Sequence, residues 1–168
     1  MRSSEMTDWD AGMIVEDQSA VLAFLADPAT HETVDRVDLI ETHISAVFLV
    51  GERAYKLKRA VKLPYADFST PAIRLAACEK EFALNKETSP GIYLGVRRIT
   101  RDGAGLALDG SGDLVDAAVE MVRFEQENIL DEIALRGDLT PEIMSTLARE
   151  IAGAHDRATV VRENGAAN

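Results

Sequence analysis

The sequence predicts an α+β fold: a mostly antiparallel sheet with one long helix set among its strands, followed by short helices. Three observations carry this. Apolar runs rich in β-branched residues lie at 44–50, 92–100 and 117–124, each bounded by turn-forming residues. A stretch opened by Thr70-Pro71 and closed by Ser89-Pro90-Gly91 separates the first run from the second. Beyond the third run the apolar spacing becomes that of helices. Strands and helices cluster instead of alternating strictly, which favours an antiparallel sheet. A chain of 168 residues buries a core without disulfides or metals.

Residues 1–16 are polar and without a sustained period, and are expected to form a loose terminus. Within 17–27, Val21, Leu22 and Leu25 give a short amphipathic helix, ended by Asp27-Pro28 because the residue before proline avoids helical angles. Residues 29–38 read as a polar connection. Ile44 to Val50 is a buried strand, Gly51-Glu52 a hairpin turn, and Arg53 to Arg59 a second strand. On that strand Ala54, Lys56 and Lys58 share one face, and Tyr55 and Leu57 the other. Thr70 caps a helix that runs to about Glu87, with Ile73, Ala76, Ala77, Phe82, Ala83 and Leu84 expected on its buried side. Strands follow at 92–100, 105–108 and 117–124. A short helix over 128–136 closes at Gly137, and Thr140-Pro141 opens another that carries Ile143, Leu147 and Ile151 on one stripe. The organisation expected is a loose N-terminus over 1–16, a sheet domain with a helical extension over 17–126, helices over 127–157 and a polar tail over 158–168.

The net charge of −11 disfavours general binding to DNA or RNA, and an aromatic content of 5% disfavours a stacking platform for single strands. Charge is uneven. Residues 1–43 carry a net −8, residues 44–101 a net +6 and residues 102–168 a net −9. A basic block in an acidic chain is either a local anion site or a solvated face that balances its flanks. The single cysteine, Cys78, fits a reducing compartment. With no apolar run near the roughly 18 residues of a membrane span, and no apolar leader in the acidic first 20 residues, a cytoplasmic protein with no membrane partner is expected.

Phosphate loops of the GxxxxGK[ST] type, GxGxxG and GxSxG are absent. His31, His43 and His155 lack metal-ligand spacing, so no metal site is expected. Asp109 to Asp113 lacks the ligand pattern of a calcium loop and reads as a turn. One arrangement has chemical sense. A hairpin ends in Ala54-Tyr55-Lys56, a helix with Glu79 and Glu81 follows, and a strand from Val119 to Phe124 leads into helices. This is the layout of a protein-kinase-like N-lobe: a mostly antiparallel sheet, one helix of the αC type, then the first helices of a C-lobe. There a strand lysine meets the α- and β-phosphates of ATP and a helix glutamate fixes that lysine. Ala54 and Lys56 point to one face, the small side chain under the adenine and the long one to the phosphates. Taken by spacing alone, Lys56 reads more simply as a solvated edge lysine.

The stretch 39–58, LIETHISAVFLVGERAYKLK, resembles the start of a bacterial family of aminoglycoside-phosphotransferase-like kinases, often fused to a separate P-loop ATP-binding domain. DFST at 67–70, CEKEFALN at 78–85, YLGV at 93–96, ITRDG at 99–103, AVEMVRF at 118–124 and LAREIAGAH at 147–155 resemble it too. The resemblance covers roughly 17–157 and implies ATP with Mg as cofactor. It makes Lys56 the phosphate lysine, Glu81 its helix partner with Glu79 the alternative, and Met121 to Phe124 the hinge, Arg123 included. His43 to Ala46, with Ser45, stands in place of a glycine-rich loop but contains no glycine. The aspartate, asparagine and DFG-like motifs of phosphoryl transfer occur nowhere in the sequence, so no catalytic residue is expected in this chain, and the C-lobe is expected to be truncated. Nucleotide binding is then weak or absent in the isolated chain. The alternative is a non-catalytic interaction module, a homo-oligomer or the binder of a partner chain, that uses the stripe of Ile143, Leu147 and Ile151.

Overall fold

The computed structural model describes residues 14–31 and 35–160. The chain divides into two units, the first ending at Arg123 and the second beginning at Phe124. The first holds α1 (Ser19–Ala26), β1 (Val37–Glu41), β2 (Ser45–Val50), β3 (Arg53–Lys58), β4 (Lys62–Leu63), β5 (Ala66–Asp67), α2 (Pro71–Thr88), β6 (Tyr93–Asp102), β7 (Gly105–Leu108) and β8 (Asp113–Val122). The second holds α3 (Leu130–Leu135) and α4 (Pro141–Arg157).

Six strands form one sheet in the order β1-β2-β3-β8-β6-β7, every neighbouring pair antiparallel. The fold is therefore α+β with an antiparallel sheet. β4 and β5 pair separately as a small hairpin between β3 and α2. Because β3 and β6 both run antiparallel to β8, they run the same way, with β8 filling the slot between them. α2 makes the crossover from one side of that slot to the other and packs on β8 and β6.

The sheet is covered on both faces. On one, Phe48, Val50, Tyr55, Leu57, Ile99 and Ala118 pack against Val21 and Leu25 of α1. On the other, Leu49, Ala54, Ala117, Val119 and Met121 pack with Cys78 of α2. Burial on both sides is why β2 reads as an unbroken apolar run. Gly51 adopts a φ of 54° in the β2–β3 turn, a backbone angle that glycine reaches without the Cβ clash of other residues. At the β7–β8 turn a Cβ on Gly112 would overlap the carbonyl oxygen of Arg101, so that backbone approach also requires glycine.

Four expectations are corrected. The expected connection over 29–38 gives way at Val37 to an edge strand, because Val37 to Glu41 pair residue for residue with Val50 to Ala46. β8 starts at Asp113, four residues before the apolar run, since Asp113 and Leu114 pair with Arg101 and Thr100 of β6. The buried side of α2 is set by Arg74 and Cys78, with Leu75 and Glu81 partly buried; of the residues expected there, Ala77 and Phe82 are partly buried, while Ile73, Ala76, Ala83 and Leu84 are exposed. Of the terminus expected to be loose, residues 1–13 lie outside the described residues and Ile14 to Glu16 are tied down. Ile14 bridges Val61, the Val15 N–H donates to the Ala60 carbonyl at 2.9 Å, and Glu16 accepts from Arg74 at 2.9 Å. Residues 161–168 of the expected tail also lie outside the described residues. Thr70 and Thr140 cap α2 and α4 as expected, each hydroxyl accepting from the N–H three residues on at 3.3 Å.

Candidate functional site

The α2-facing side of the sheet changes character along β3. Ala54 is opposite Leu49 on β2 and Met121 on β8, and all three are buried, giving an apolar floor. Two residues on, Lys56 lies between Val47 and Val119, and two further, Lys58 lies opposite Ser45. Alternate residues of a strand stand roughly 7 Å apart on one face, so the floor runs directly into two ammonium groups.

Glu81 comes down from the middle of α2 between those groups. Lys56 Nζ donates to Glu81 Oε1 at 2.9 Å, and Lys58 Nζ donates to Oε2 of the same carboxylate. Side-chain exposure differs: 31% for Lys56, 13% for Glu81 and 10% for Lys58. Burial lifts the Glu81 carboxyl, but the hydrogen bonds and charges of Lys58 and Lys56 more than reverse this and hold it below the usual carboxylate range. Lys58 also stands 5.7 Å from the centroid of the Phe68 ring, within cation–π range. Tyr93, on β6, has its phenol raised by burial and by the charge of Glu81. Cys78, one helical turn before Glu81, is fully buried and its thiol is pushed up to about 12, chiefly by burial. It is a packing residue with negligible thiolate at neutral pH.

What positions α2 is a buried polar hub. Arg74 Nε donates to Asp116 Oδ1 at 2.8 Å, both side chains being fully buried. The other guanidinium nitrogens donate to Glu16 at 2.9 Å, to the Phe68 carbonyl at 3.1 Å and to the Val115 carbonyl at 3.4 Å. Gln18 closes the network: its amide donates to Asp116 at 2.7 Å and to the Lys58 carbonyl at 3.0 Å, and accepts from the Ala60 N–H at 2.6 Å. Burial raises the Asp116 carboxyl, and the hydrogen bonds from Arg74, Gln18 and the Ala117 N–H limit the rise. The backbone of Lys58 and the helix bearing Glu81 are thus anchored to the same strand end.

Of the residues selected from the sequence, Lys56 and Glu81 are brought together and Ala54 and Met121 are paired on the floor beside them. Glu79 is exposed. Ser45 is buried at the start of β2, on the Lys58 side of the face. The turn before it needs no glycine: the Thr42 hydroxyl accepts the Ser45 N–H at 3.0 Å, and the Thr42 N–H donates to the Ser45 carbonyl at 2.8 Å. At the end of β8 the Val122 N–H donates to the Ile92 carbonyl and the Arg123 N–H to the Glu52 carbonyl, each at 2.8 Å. The sequence reading missed Lys58, although strand alternation already placed it on the face of Lys56. It also missed the hub of Arg74, Asp116 and Gln18, whose only sequence signal is charge inside otherwise apolar elements. Among the described residues no three His, Cys, Asp or Glu side chains converge, and no helix is long and apolar enough to cross a membrane.

Comparison with known proteins finds relatives in mycobacteria. An uncharacterized protein of Mycobacterium bovis and uncharacterized proteins of two Mycobacterium tuberculosis strains are each 32% identical to this chain over 133 residues, 79% of it and 25% of their own length. The chain therefore spans about a quarter of the length of the curated relatives it matches. No family model matches, and no solved structure matches.

Proposed function

We propose that this chain is the nucleotide-binding lobe of an aminoglycoside-phosphotransferase-like small-molecule kinase, with the sheet and α2 as a protein-kinase-like N-lobe. The observation that carries the reading is the 2.9 Å pair between Lys56 on a central strand and Glu81 on the crossover helix. In kinase-type sites such a pair fixes the lysine that meets the α- and β-phosphates. The surroundings fit the ligand. Two ammonium groups face one carboxylate, leaving a local positive charge for phosphate. The floor of Ala54, Leu49 and Met121 offers an apolar surface for a purine ring. Bound Mg-ATP would supply the transferable γ-phosphoryl group and neutralise its charge with the metal. The residues here would hold the phosphates and the base. The HxDxxxxN and DFG-like motifs that supply the base and hold magnesium are absent from the 168 residues, so the reading assigns binding to this chain and no turnover to it alone.

Calorimetric titration with Mg-ATP, beside Lys56→Ala, tests the reading. Weak but saturable binding by the unaltered chain, weakened at least tenfold further in the variant, is the expected result. Binding that Lys56→Ala leaves unchanged would remove the nucleotide from this face.

A second reading, a non-catalytic module that self-associates or binds a partner chain, is favoured by one observation. α4 presents an apolar stripe without a fully buried residue: Ile143 and Leu147 are half-buried, and Met144 and Ile151 are exposed.

A further inference from the structure

Glu81 has two cationic partners where one would neutralise it. The two are not equivalent. Lys58 is 10% exposed, faces the Phe68 ring, and sits on backbone pinned by Gln18. Lys56 is three times as exposed and stands two residues closer to the apolar floor. A buried carboxylate that loses its sole partner is left as an uncompensated charge, which is strongly unfavourable. If Lys56 were that sole partner, any ligand that drew it away would bind against this penalty.

We propose that Lys58 is the resident counter-ion of Glu81, and that Lys56 is the deliverable one, handed to a phosphate oxygen while Lys58 keeps the carboxylate paired. The proposal rests on the nucleotide reading above and deepens it. Lys58 is then a positioning residue: it acts through Glu81 on Lys56 and does not itself meet the ligand.

The test uses the full chain with Mg-ATP and, separately, inorganic tripolyphosphate, in calorimetric titrations of the unaltered protein, Lys58→Met and Lys58→Met/Glu81→Gln. In Lys58→Met, Lys56 becomes the only partner of Glu81, and affinity is expected to fall about tenfold, roughly 1.4 kcal/mol. Neutralising the carboxylate in the double variant frees Lys56 and is expected to restore most of the loss, a rescue that a merely structural role of Lys58 would not give. A carboxyl-carbon NMR titration without ligand gives an independent readout: the Glu81 pKa is expected to rise more in Lys58→Met than in Lys56→Met. Unchanged affinity in Lys58→Met, a loss that Glu81→Gln fails to relieve, or a Glu81 pKa that rises more in Lys56→Met would each overturn the proposal. An unaltered chain that binds neither probe overturns the nucleotide reading instead, and the carboxyl titration then decides the role of Lys58 alone. Should Lys58→Met fail to fold, Phe68→Leu, which takes the ring from beside the ammonium, is measured in its place and is expected to change the same quantities in the same direction by less.

Discussion

Glu81 is a carboxylate that pays its desolvation through two lysines, and this fixes how it answers to acid. Its folded pKa lies below the ordinary glutamate value of ~4.3, so the folded state releases its proton more readily than the unfolded one. Its contribution to stability is therefore complete above that value and is lost as pH falls through the lower folded pKa. Asp116 acts with the opposite sign: its raised carboxyl favours the folded state at low pH and loses that contribution as pH rises through the folded pKa. The difference between the unaltered chain and Glu81→Gln isolates the first effect. In urea unfolding across pH 3 to 7, the advantage of the unaltered chain is expected to be largest near neutrality and to shrink below about pH 4.3. A constant difference across that range would mean that Glu81 does not act through its charge. At this scale the sequence was informative where a spacing rule applied. Strand alternation put Ala54 and Lys56 on one face, while the choice of Glu81 over Glu79 as the partner of Lys56 came from the family resemblance. It was silent on how the carboxylate is divided between Lys56 and Lys58, because that depends on the depth of each ammonium.

Among the elements, α2 carries the consequence of a polar anchor. Arg74 is fully buried and joins the helix to Asp116 of β8, to Glu16 and to the carbonyls of Phe68 and Val115. Removing it leaves Asp116 buried with its cation gone, and Arg74→Met is expected to cost about 3–5 kcal/mol in equilibrium unfolding. A loss below about 1 kcal/mol, the range of an exposed pair, would show that the hub does not seat the helix. This anchor also explains why the buried side of α2 was misread. Apolar periodicity selected Ile73 and Leu84, both exposed, whereas the side that meets the sheet is held by Arg74, Cys78 and Glu81. Hydropathy cannot distinguish an arginine that faces water from one that faces an aspartate. β1 escaped notice for a related reason. Asp38 makes its start look like a connection, but the strand lies at the sheet edge with Leu39 to Glu41 exposed, where charge stays in water. The strands and caps that were legible owe nothing to distant partners: a proline-led helix start and a glycine turn are specified by the residues themselves.

For the molecule as a whole, the two units differ in how they are sustained. The first contains both apolar clusters. Among the described residues the second consists of a short turn, α3 and α4, with no fully buried residue in either helix. If the stripe of α4 mediates self-association, Leu147→Glu is expected to abolish a concentration-dependent rise in mass seen by sedimentation equilibrium while leaving the far-ultraviolet dichroism unchanged. A chain that stays monomeric at every concentration would remove the self-association reading. The order of strands has a further consequence, for synthesis. Tyr55 meets Glu120 across 65 positions of sequence, and β8 is the last strand of the sheet to be made. As the chain leaves the ribosome, the β1-β2-β3 meander and the β6-β7 hairpin are complete before the strand that joins them exists. Until β8 arrives, β3 and β6 each present an open edge, and such edges pair readily with the wrong chain. The strand that completes the apolar floor beside Lys56 is thus also the one that ends the exposure of the nascent protein.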